Sequence, residues 1–316
     1  ATAFFAVALC ASQNRRRDSV RQQFNEGPRT GRAAQAKNLL VQRRPFLWFR
    51  EPLLAMVTGM ELPKVGPFVY ESSRVVVIDK PAGWLSVPSR IGAEDERLCV
   101  GRMLEKELSL RLWPVHRLDA EVSGLLIYAK DADTHRGLCA GFEHHQVHKT
   151  YLAWTVGPLP TGCKLGQAQR WQSLLLRGKK RAYVHAAGKE AVTLATPLVV
   201  DGSRVLWRLC PQTGRPHQLR VELSRRGCPI LGDSLYGSTV TWGQGIALRA
   251  VDLDLAELAG REELELPARL TLLVGSGDHL AAGRAWFKAA ARASASKSGH
   301  SIQIACPADG ISSGAG

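Results

Sequence analysis

The sequence predicts an α+β fold built on a mixed, largely antiparallel β-sheet with flanking helices and a central cleft. Runs of strand-forming residues follow one another and are interrupted by single helices, without the regular strand-helix alternation of a parallel sheet. Hydrophobic residues make up 45% of the chain and charged residues 22%, which is typical of a globular protein. The 316 residues could hold one large domain or two small ones.

The first elements follow from local patterns. A β-branched run predicts a strand over 73–78 that ends at the Pro-Ala-Gly turn of residues 81–83. An apolar stripe predicts a helix over 98–109. A short apolar run predicts a buried strand over 125–129, and the next helix, over 131–143, starts with acidic residues that favour the positive end of its dipole.

The second half of the chain is predicted to be richer in strands. The helix expected there ends at a glycine, the usual residue after a helix C-terminus. The expected strands are 149–156, 181–185, 189–197 and 203–210, and the expected helix is 215–226, ended by Gly227.

The charge distribution divides the chain into three parts. The net charge of +14 places +8 in residues 1–50 and +3 in residues 284–316, so the middle is only weakly basic. We expect residues 1–62 to be a basic, disordered extension or a targeting segment, residues 63–285 to form the catalytic domain, and residues 286–316 to be a disordered tail. The Arg-rich, acid-poor start fits a plastid or mitochondrial transit peptide, and a plain basic extension or a wrongly assigned gene start fits equally well.

Cysteine and histidine usage indicates an intracellular protein without a metal site. The seven cysteines are dispersed and form no C-x-x-C pair, which favours reduced thiols. The cluster His144-His145-x-x-His148 lacks a third ligand and the glutamate of an H-E-x-x-H arrangement. The apolar start, residues 1–11, is too short to span a bilayer. We therefore expect no metal and no membrane association, and a location in the plastid or mitochondrion or otherwise in the cytoplasm.

The run His116-Arg117-Leu118-Asp119 carries the first chemical signal. It places a carboxylate next to a cation and just before the buried strand 125–129. At such an edge an acid can be partly desolvated while a cation keeps it ionised, as a nucleophile or a base requires. Taken alone, the run fits a loop aspartate paired with its neighbouring arginine equally well.

Further motifs follow in order along the chain. They are Asp79-Lys80-Pro81-Ala82-Gly83, then Ser123-Gly124-Leu125-Leu126, Lys149-Thr150-Tyr151, Thr213-Gly214-Arg215-Pro216-His217-Gln218-Leu219-Arg220 and Gly232-Asp233-Ser234-Leu235-Tyr236-Gly237. In this order and at these distances they resemble the RluA-type pseudouridine synthase family over residues 68–266. The resemblance implies the pseudouridine synthase fold, with the central cleft binding RNA. It also implies an isomerase that cuts the glycosidic bond of a uridine, rotates the base and rejoins it through carbon, without cofactor or metal.

The resemblance assigns the catalytic carboxylate to Asp119. Arg220 is expected to keep it ionised through a bidentate pair and to share a helix face with His217. Tyr151 is expected to lie against the flipped uracil, and its place next to Lys149 in an alternating strand puts both side chains on one face.

The remaining site residues are expected to bind RNA, in tRNA or rRNA, and the protein is expected to be a monomer. The expected RNA contacts are Arg117, Lys149, Arg215, His217 and Lys80. For Lys80 a role in supporting the domain is also open, and for Lys149 that of a solvated surface lysine. Extruding a stacked base costs a few kcal/mol, and Arg117 is placed to fill the vacated space.

Three departures from the family pattern leave rival functions open. Val122 and Pro216 stand where the family usually has Thr or Ser, and Glu222 replaces a frequent His. The first rival is an RNA-binding protein that has lost catalysis. The second is a nucleoside hydrolase, although glycosidases normally use two carboxylates and the motifs supply one.

Overall fold

The computed structural model of the protein describes residues 68–89, 95–243 and 245–272. Within these ranges eleven strands pair into one sheet, accompanied by three α-helices. The strands are β1 (Phe68–Glu71), β2 (Val75–Lys80), β3 (Trp113–Pro114), β4 (Ser123–Ala129), β5 (His148–Val156), β6 (Gln169–Arg177), β7 (Ala182–Val184), β8 (Lys189–Asp201), β9 (Arg204–Pro211), β10 (Leu248–Asp254) and β11 (Arg269–Thr271). The helices are α1 (Val100–Leu108), α2 (Ala132–Glu143) and α3 (Gln218–Ser224), and a 3-10 turn covers Ser234–Tyr236.

The sheet is mixed and largely antiparallel, which confirms the expected fold class. Its strand order is β1-β2-β4-β10-β5-β9-β8-β6-β7, with β11 added to β10 and β3 to β4. Only the pairing of β10 with β4 is parallel among the described strands. The late strand β10 thus lies in the middle of the sheet, between two strands from the first half of the chain.

Helices α1 and α2 cover opposite faces of β2 and β4. Val76 and Leu126 pack with Leu104 of α1, whereas Val77 and Leu125 pack with Leu138 of α2. Alternate residues of a strand point to opposite faces, so a strand that is covered on both sides reads as a continuous apolar run. This explains why both strands could be recognised from sequence.

Helix α3 is shorter than the expected 215–226. It begins at Gln218, and the residue before it, His217, is left-handed with φ 52°. Pro216 disfavours helical backbone in the residue before it, so Arg215 stays outside the helix. Strands β1, β3, β6, β10 and β11 had not been expected.

The expectations for residues 1–62 and 286–316 lie outside the described residues. Within the described ranges, no helix combines the length and the apolar character that crossing a bilayer would need. The same ranges contain no group of three or more His, Cys, Asp or Glu side chains that could hold a metal ion.

Candidate active site

The loop that carries Asp119 joins β3 to β4 and is bonded to three other segments. The Ser86 hydroxyl accepts from the Leu118 N–H at 3.0 Å and donates to the Leu118 carbonyl at 2.9 Å. The Gly83 N–H donates to the Ala120 carbonyl at 2.7 Å, and the Ile246 N–H donates to the carbonyl of Glu121 at 3.0 Å. These bonds fix the backbone on both sides of Asp119.

The side chain of Lys80 also bonds to this loop. Its side chain is fully buried, and its ammonium donates to the carbonyls of Pro81, Trp84 and Ala120 at 2.8, 2.7 and 3.1 Å. Three acceptors match the three donors of an ammonium group. Because Lys80 is inaccessible, the expectation that it contacts RNA is wrong, and its place is structural.

Arg220 is the centre of the polar cluster. Its side chain is 3% exposed, and its Nε and Nη2 donate to the two oxygens of Asp233 at 2.7 and 2.8 Å. Its Nη1 lies 3.3 Å from Oδ2 of Asp119 and 3.4 Å from Oε2 of Glu121. Burial opposes the positive charge, but the hydrogen bonds to Asp233 and the three surrounding carboxylates raise the pKa of Arg220 above its ordinary value.

The pairing of Asp119 with Arg220 is therefore present, but the bidentate partner of the guanidinium is Asp233. The expectation of a bidentate Asp119 pair was wrong in that respect. A single Nη1 contact leaves Asp119 25% exposed and open to a substrate. The sequence analysis also missed Glu121, which is a second acid next to this guanidinium. It missed the role of Asp233 as well, and the signal for that residue was its place as the acid of the Gly232–Gly237 motif.

Tyr151 is positioned by the strand order β4-β10-β5. It pairs with Ala250 of β10, which pairs in turn with Gly124 of β4, five residues after Asp119. Two strand spacings separate β4 from β5 by about 10 Å. Gly124 is required here because its φ is 117° and a Cβ would lie 2.1 Å from the Ala250 carbonyl oxygen.

The phenol of Tyr151 is protonated at neutral pH. Burial raises its pKa above the ordinary value, and the negative charge of Asp119 raises it further. Asp119 is thus one of the charges that act on this phenol.

His217 is a further neighbour of the Asp119 carboxylate. Its Nε2 lies 3.8 Å from Oδ2 of Asp119, and its Nδ1 lies 2.9 Å from the hydroxyl of Tyr236. The imidazole packs edge-on against the Tyr236 ring, and the Arg220 guanidinium lies over the same ring at 5.1 Å. His217 precedes α3, so it does not share a helix face with Arg220 as expected; the two meet through Tyr236 and Asp119.

Three other residues were expected to contact RNA, and none of their described contacts is with Asp119 or Arg220. Arg117 is exposed on the loop two residues before Asp119. The Nε of Arg215 donates to the Glu190 carbonyl at 2.6 Å. The ammonium of Lys149 lies 5.9 Å from the centre of the Phe142 ring, and burial lowers its pKa to about 8.

Two of the departures from the family pattern are accommodated in the core. Val122 is buried with the apolar residues of the sheet. Glu222 is buried too, and its carboxylate contacts Arg226 and the Ser173 hydroxyl. The Val122 N–H donates to the Asp119 carbonyl at 3.1 Å, a backbone bond that any residue except proline can make. No described contact joins Glu222 to Asp119 or Tyr151.

This arrangement suits nucleophilic or basic chemistry by one carboxylate. Asp119 is partly exposed and is held at one oxygen by a permanently charged guanidinium. Tyr151 supplies an aromatic ring with an intact hydroxyl on β5, two strands away from β4.

Comparisons with known proteins agree with this geometry. Residues 74–225 match the family of RNA pseudouridylate synthases. An RNA pseudouridine synthase of Haemophilus influenzae, described as uncharacterized, is 33% identical over 194 residues, which are 59% of this chain and 80% of that protein. The dual-specificity RNA pseudouridine synthase RluA of Vibrio vulnificus is 30% identical over 207 residues, 61% of this chain and 79% of that protein.

A third relative and one solved structure extend the comparison. The tRNA pseudouridine synthase C of Yersinia pestis is 30% identical over 220 residues, which are 64% of this chain and 85% of that protein. The structure of human RNA pseudouridylate synthase domain containing 4 shares the fold, with a TM-score of 0.52 at 23% identity over 70% of this chain and 92% of that one. The chain therefore belongs to the RluA-type family of RNA pseudouridine synthases, which are RNA isomerases.

Proposed function

We propose that this protein converts specific uridines of tRNA or rRNA to pseudouridine, with Asp119 as the catalytic carboxylate. Relatives named as tRNA pseudouridine synthase C and as ribosomal large subunit pseudouridine synthase D support both substrate classes. The observation that carries the proposal is the 3.3 Å contact between Asp119 and Arg220, two residues 101 positions apart in the chain.

Asp119 initiates cleavage of the bond between N1 of the uracil and C1′ of the ribose. Arg220 holds one oxygen of the carboxylate for this step, and the buried pair with Asp233 keeps the guanidinium from turning away. The detached uracil then turns within the pocket so that C5 faces C1′. The new C5–C1′ bond replaces the broken N1–C1′ bond, C5 gives up its proton and N1 takes up a proton, so the product is an isomer and no co-reactant is consumed.

Tyr151 lies against the uracil and supplies a hydroxyl for the proton transfer at C5. Its raised pKa means that it enters the cycle as a neutral phenol. The neutral phenol can accept the C5 proton only as it passes its own proton on, so its hydroxyl acts as a proton relay.

The RNA lies over the basic turn between β6 and β7 and over the Asp119 loop. The turn presents four cations on exposed residues, Arg177, Lys179, Lys180 and Arg181, and Arg117 extends the positive surface from the loop. Such cations bind phosphates without regard to sequence. The contacts offset part of the few kcal/mol that extruding the uridine costs.

The test compares Asp119→Asn with Glu121→Gln. Both carboxylates lie within 3.4 Å of the same Nη1 of Arg220, so both variants remove one negative charge from this guanidinium. Asp119→Asn is expected to abolish tritium release from RNA that carries [5-³H]uridine, while RNA affinity and thermal unfolding stay nearly unchanged. Glu121→Gln is expected to lose less than about tenfold in rate.

Four outcomes would contradict the proposal. Substantial tritium release by Asp119→Asn would remove this residue from the chemistry. Equal losses in both variants would show that net charge beside Arg220 matters and that Asp119 has no special part. Free uracil as the main product of the unmodified protein would indicate a hydrolase, and RNA binding without tritium release would indicate a non-catalytic protein.

A further inference from the structure

The hydroxyl of Tyr236 has three hydrogen-bonding neighbours. It accepts from the backbone N–H of Ala182 at 2.9 Å, and it can donate its single proton to the Ala182 carbonyl at 3.2 Å or to Nδ1 of His217 at 2.9 Å. A hydroxyl normally bonds a carbonyl oxygen at about 2.7–2.8 Å, so 3.2 Å is long, whereas 2.9 Å to a nitrogen is ordinary. The distances favour donation of this proton to Nδ1 of His217.

This assignment fixes the tautomer of His217. In a neutral imidazole one nitrogen accepts and the other carries the proton, so an accepting Nδ1 leaves the proton on Nε2. Nε2 is the atom that faces Oδ2 of Asp119, at 3.8 Å. The N–H dipole thus points at the carboxylate, at a distance that is longer than a hydrogen bond but still electrostatically significant.

The contacts of Asp119 converge on one of its two oxygens. Arg220 and His217 both lie against Oδ2, at 3.3 and 3.8 Å, and within the described part of the chain neither reaches Oδ1. A carboxylate that is held at one oxygen presents the other in a defined direction. Orientation of this kind matters, because small misplacements of a reacting group cost large factors in rate.

We propose that His217 is a positioning residue for Asp119: Tyr236 fixes its tautomer with the Nε2 proton directed at Oδ2, so that His217 and Arg220 together hold this oxygen and leave Oδ1 to the substrate. The proposal rests on the proposed function of Asp119. It replaces the expectation that His217 serves RNA binding. It also gives Tyr236 a part in catalysis that acts only through another side chain.

Two further observations support a neutral, fixed imidazole. Burial is the largest effect on the pKa of His217 and lowers it, which favours the neutral form. Arg220 and Arg177 lower this pKa as well, whereas the carboxylates of Asp119 and Glu121 raise it. The left-handed backbone of His217, with φ 52°, holds the ring between Tyr236 and Asp119. Such a conformation is uncommon for a residue with a side chain and is tolerated best by Asn, Asp and His.

The variants His217→Asn and Tyr236→Phe test separately the contact of His217 with Asp119 and its hydrogen bond with Tyr236. Asn suits the left-handed backbone, and its carboxamide oxygen takes the place of Nδ1 toward Tyr236, but no atom replaces Nε2 beside Asp119. We expect His217→Asn to lower the single-turnover rate constant at least about tenfold with the RNA dissociation constant changed less than twofold. Tyr236→Phe removes the proton that fixes the tautomer and is expected to lower the same rate constant.

A spectroscopic measurement tests the link without using activity. Long-range ¹H–¹⁵N correlation spectra of the full chain with ¹⁵N-labelled histidine distinguish the two tautomers, and the His217 signals are those that disappear in His217→Asn or, if that variant does not fold, in His217→Gln. We expect an Nε2–H tautomer in the unmodified protein and a mixture in Tyr236→Phe. An Nδ1–H tautomer in the unmodified protein would overturn the proposal.

The kinetic results distinguish a failure of this proposal from a failure of the proposed function. An inactive Asp119→Asn together with a fully active His217→Asn would overturn the positioning role of His217 alone. A loss in His217→Asn that falls wholly on RNA affinity would do the same, because a contact with RNA would then explain it. An active Asp119→Asn would instead contradict the proposed function itself.

Discussion

Replacing Asp233 by Asn tests how the guanidinium of Arg220 is held. Asp233 is 1% exposed and bonds Arg220 through both carboxylate oxygens. Asn keeps the shape and one accepting oxygen, but its amide nitrogen turns a donor toward a guanidinium N–H and removes the charge. We therefore expect the variant to lose both stability and a fixed orientation of Arg220.

The size of the stability loss follows from the burial of the pair. Hydrogen bonds to charged groups contribute about 1.5–3 kcal/mol each, and breaking a buried pair by removing one partner costs about 3–5 kcal/mol. Asp119 and Glu121 remain within 3.4 Å of Nη1 and still compensate part of the charge. We therefore expect the lower end, about 3 kcal/mol in the free energy of unfolding, and a melting temperature about 6–12 °C lower.

Urea unfolding followed by circular dichroism measures this loss, with Glu262→Gln as the matched control. Glu262 is 86% exposed and lies 3.4 Å from Arg261, so its replacement is expected to cost less than about 1 kcal/mol. A loss below about 1 kcal/mol in Asp233→Asn as well would show that the buried pair contributes no more than a surface one. Under conditions where the variant is folded, its rate of tritium release is expected to be at least about tenfold lower.

Three further outcomes are expected. Lys80→Met is expected to lower the rate of isomerisation, because the buried ammonium holds the active-site loop. The RNA dissociation constant is expected to change less than twofold, because this ammonium cannot reach RNA. A weakened RNA affinity with an unchanged rate would contradict this. Replacing Lys179 and Lys180 by Ala is expected to weaken RNA binding and to reduce the salt slope of the binding constant by roughly one to two, as filter binding at several salt concentrations would show. His116→Gln is expected to reduce the loss of stability in acid: His116 accepts from the Ile127 N–H, and burial lowers its pKa to about 3.

The sign of the His116 effect follows from proton linkage. Between the lowered folded pKa of about 3 and the ordinary value of 6.5, the unfolded chain binds a proton that the folded protein does not, so stability falls as the pH falls through this window. From pH 6.5 to pH 5 one such proton contributes about 2 kcal/mol. Gln accepts the same backbone hydrogen bond without titrating, so urea unfolding of His116→Gln is expected to show less of this loss, and an identical pH dependence of both proteins would contradict the assignment.

The elements predicted from sequence are those with a strong local pattern. β2 and β4 carry apolar runs because helices cover both of their faces, and α2 is capped by Asp131, whose carboxylate accepts from the N–H groups of Asp133 and Thr134. Strand β10 was not predicted. Its position between β4 and β5 depends on the order of strands in the sheet, which local sequence patterns do not indicate.

The contact between Asp119 and Arg220 was predictable from the sequence, because the ordered motifs carry long-range information that periodicity lacks. The bidentate role of Asp233 depends on an irregular segment, and the burial of Lys80 depends on three carbonyls that converge only in the folded chain. For Lys80 the sequence left both RNA contact and support of the domain open, and only the folded chain decides between them.

The bonds that hold the Asp119 loop are all internal to the protein. Ser86, Gly83, Lys80 and Ile246 fix it through main-chain atoms, so the attacking group is preorganised before any nucleic acid arrives. Most of the cations proposed to meet phosphate lie on the exposed turn between β6 and β7, and Arg117 is the one on the loop itself. Under the proposed function, changes in that turn would alter RNA affinity while leaving the bonds that hold the Asp119 loop in place.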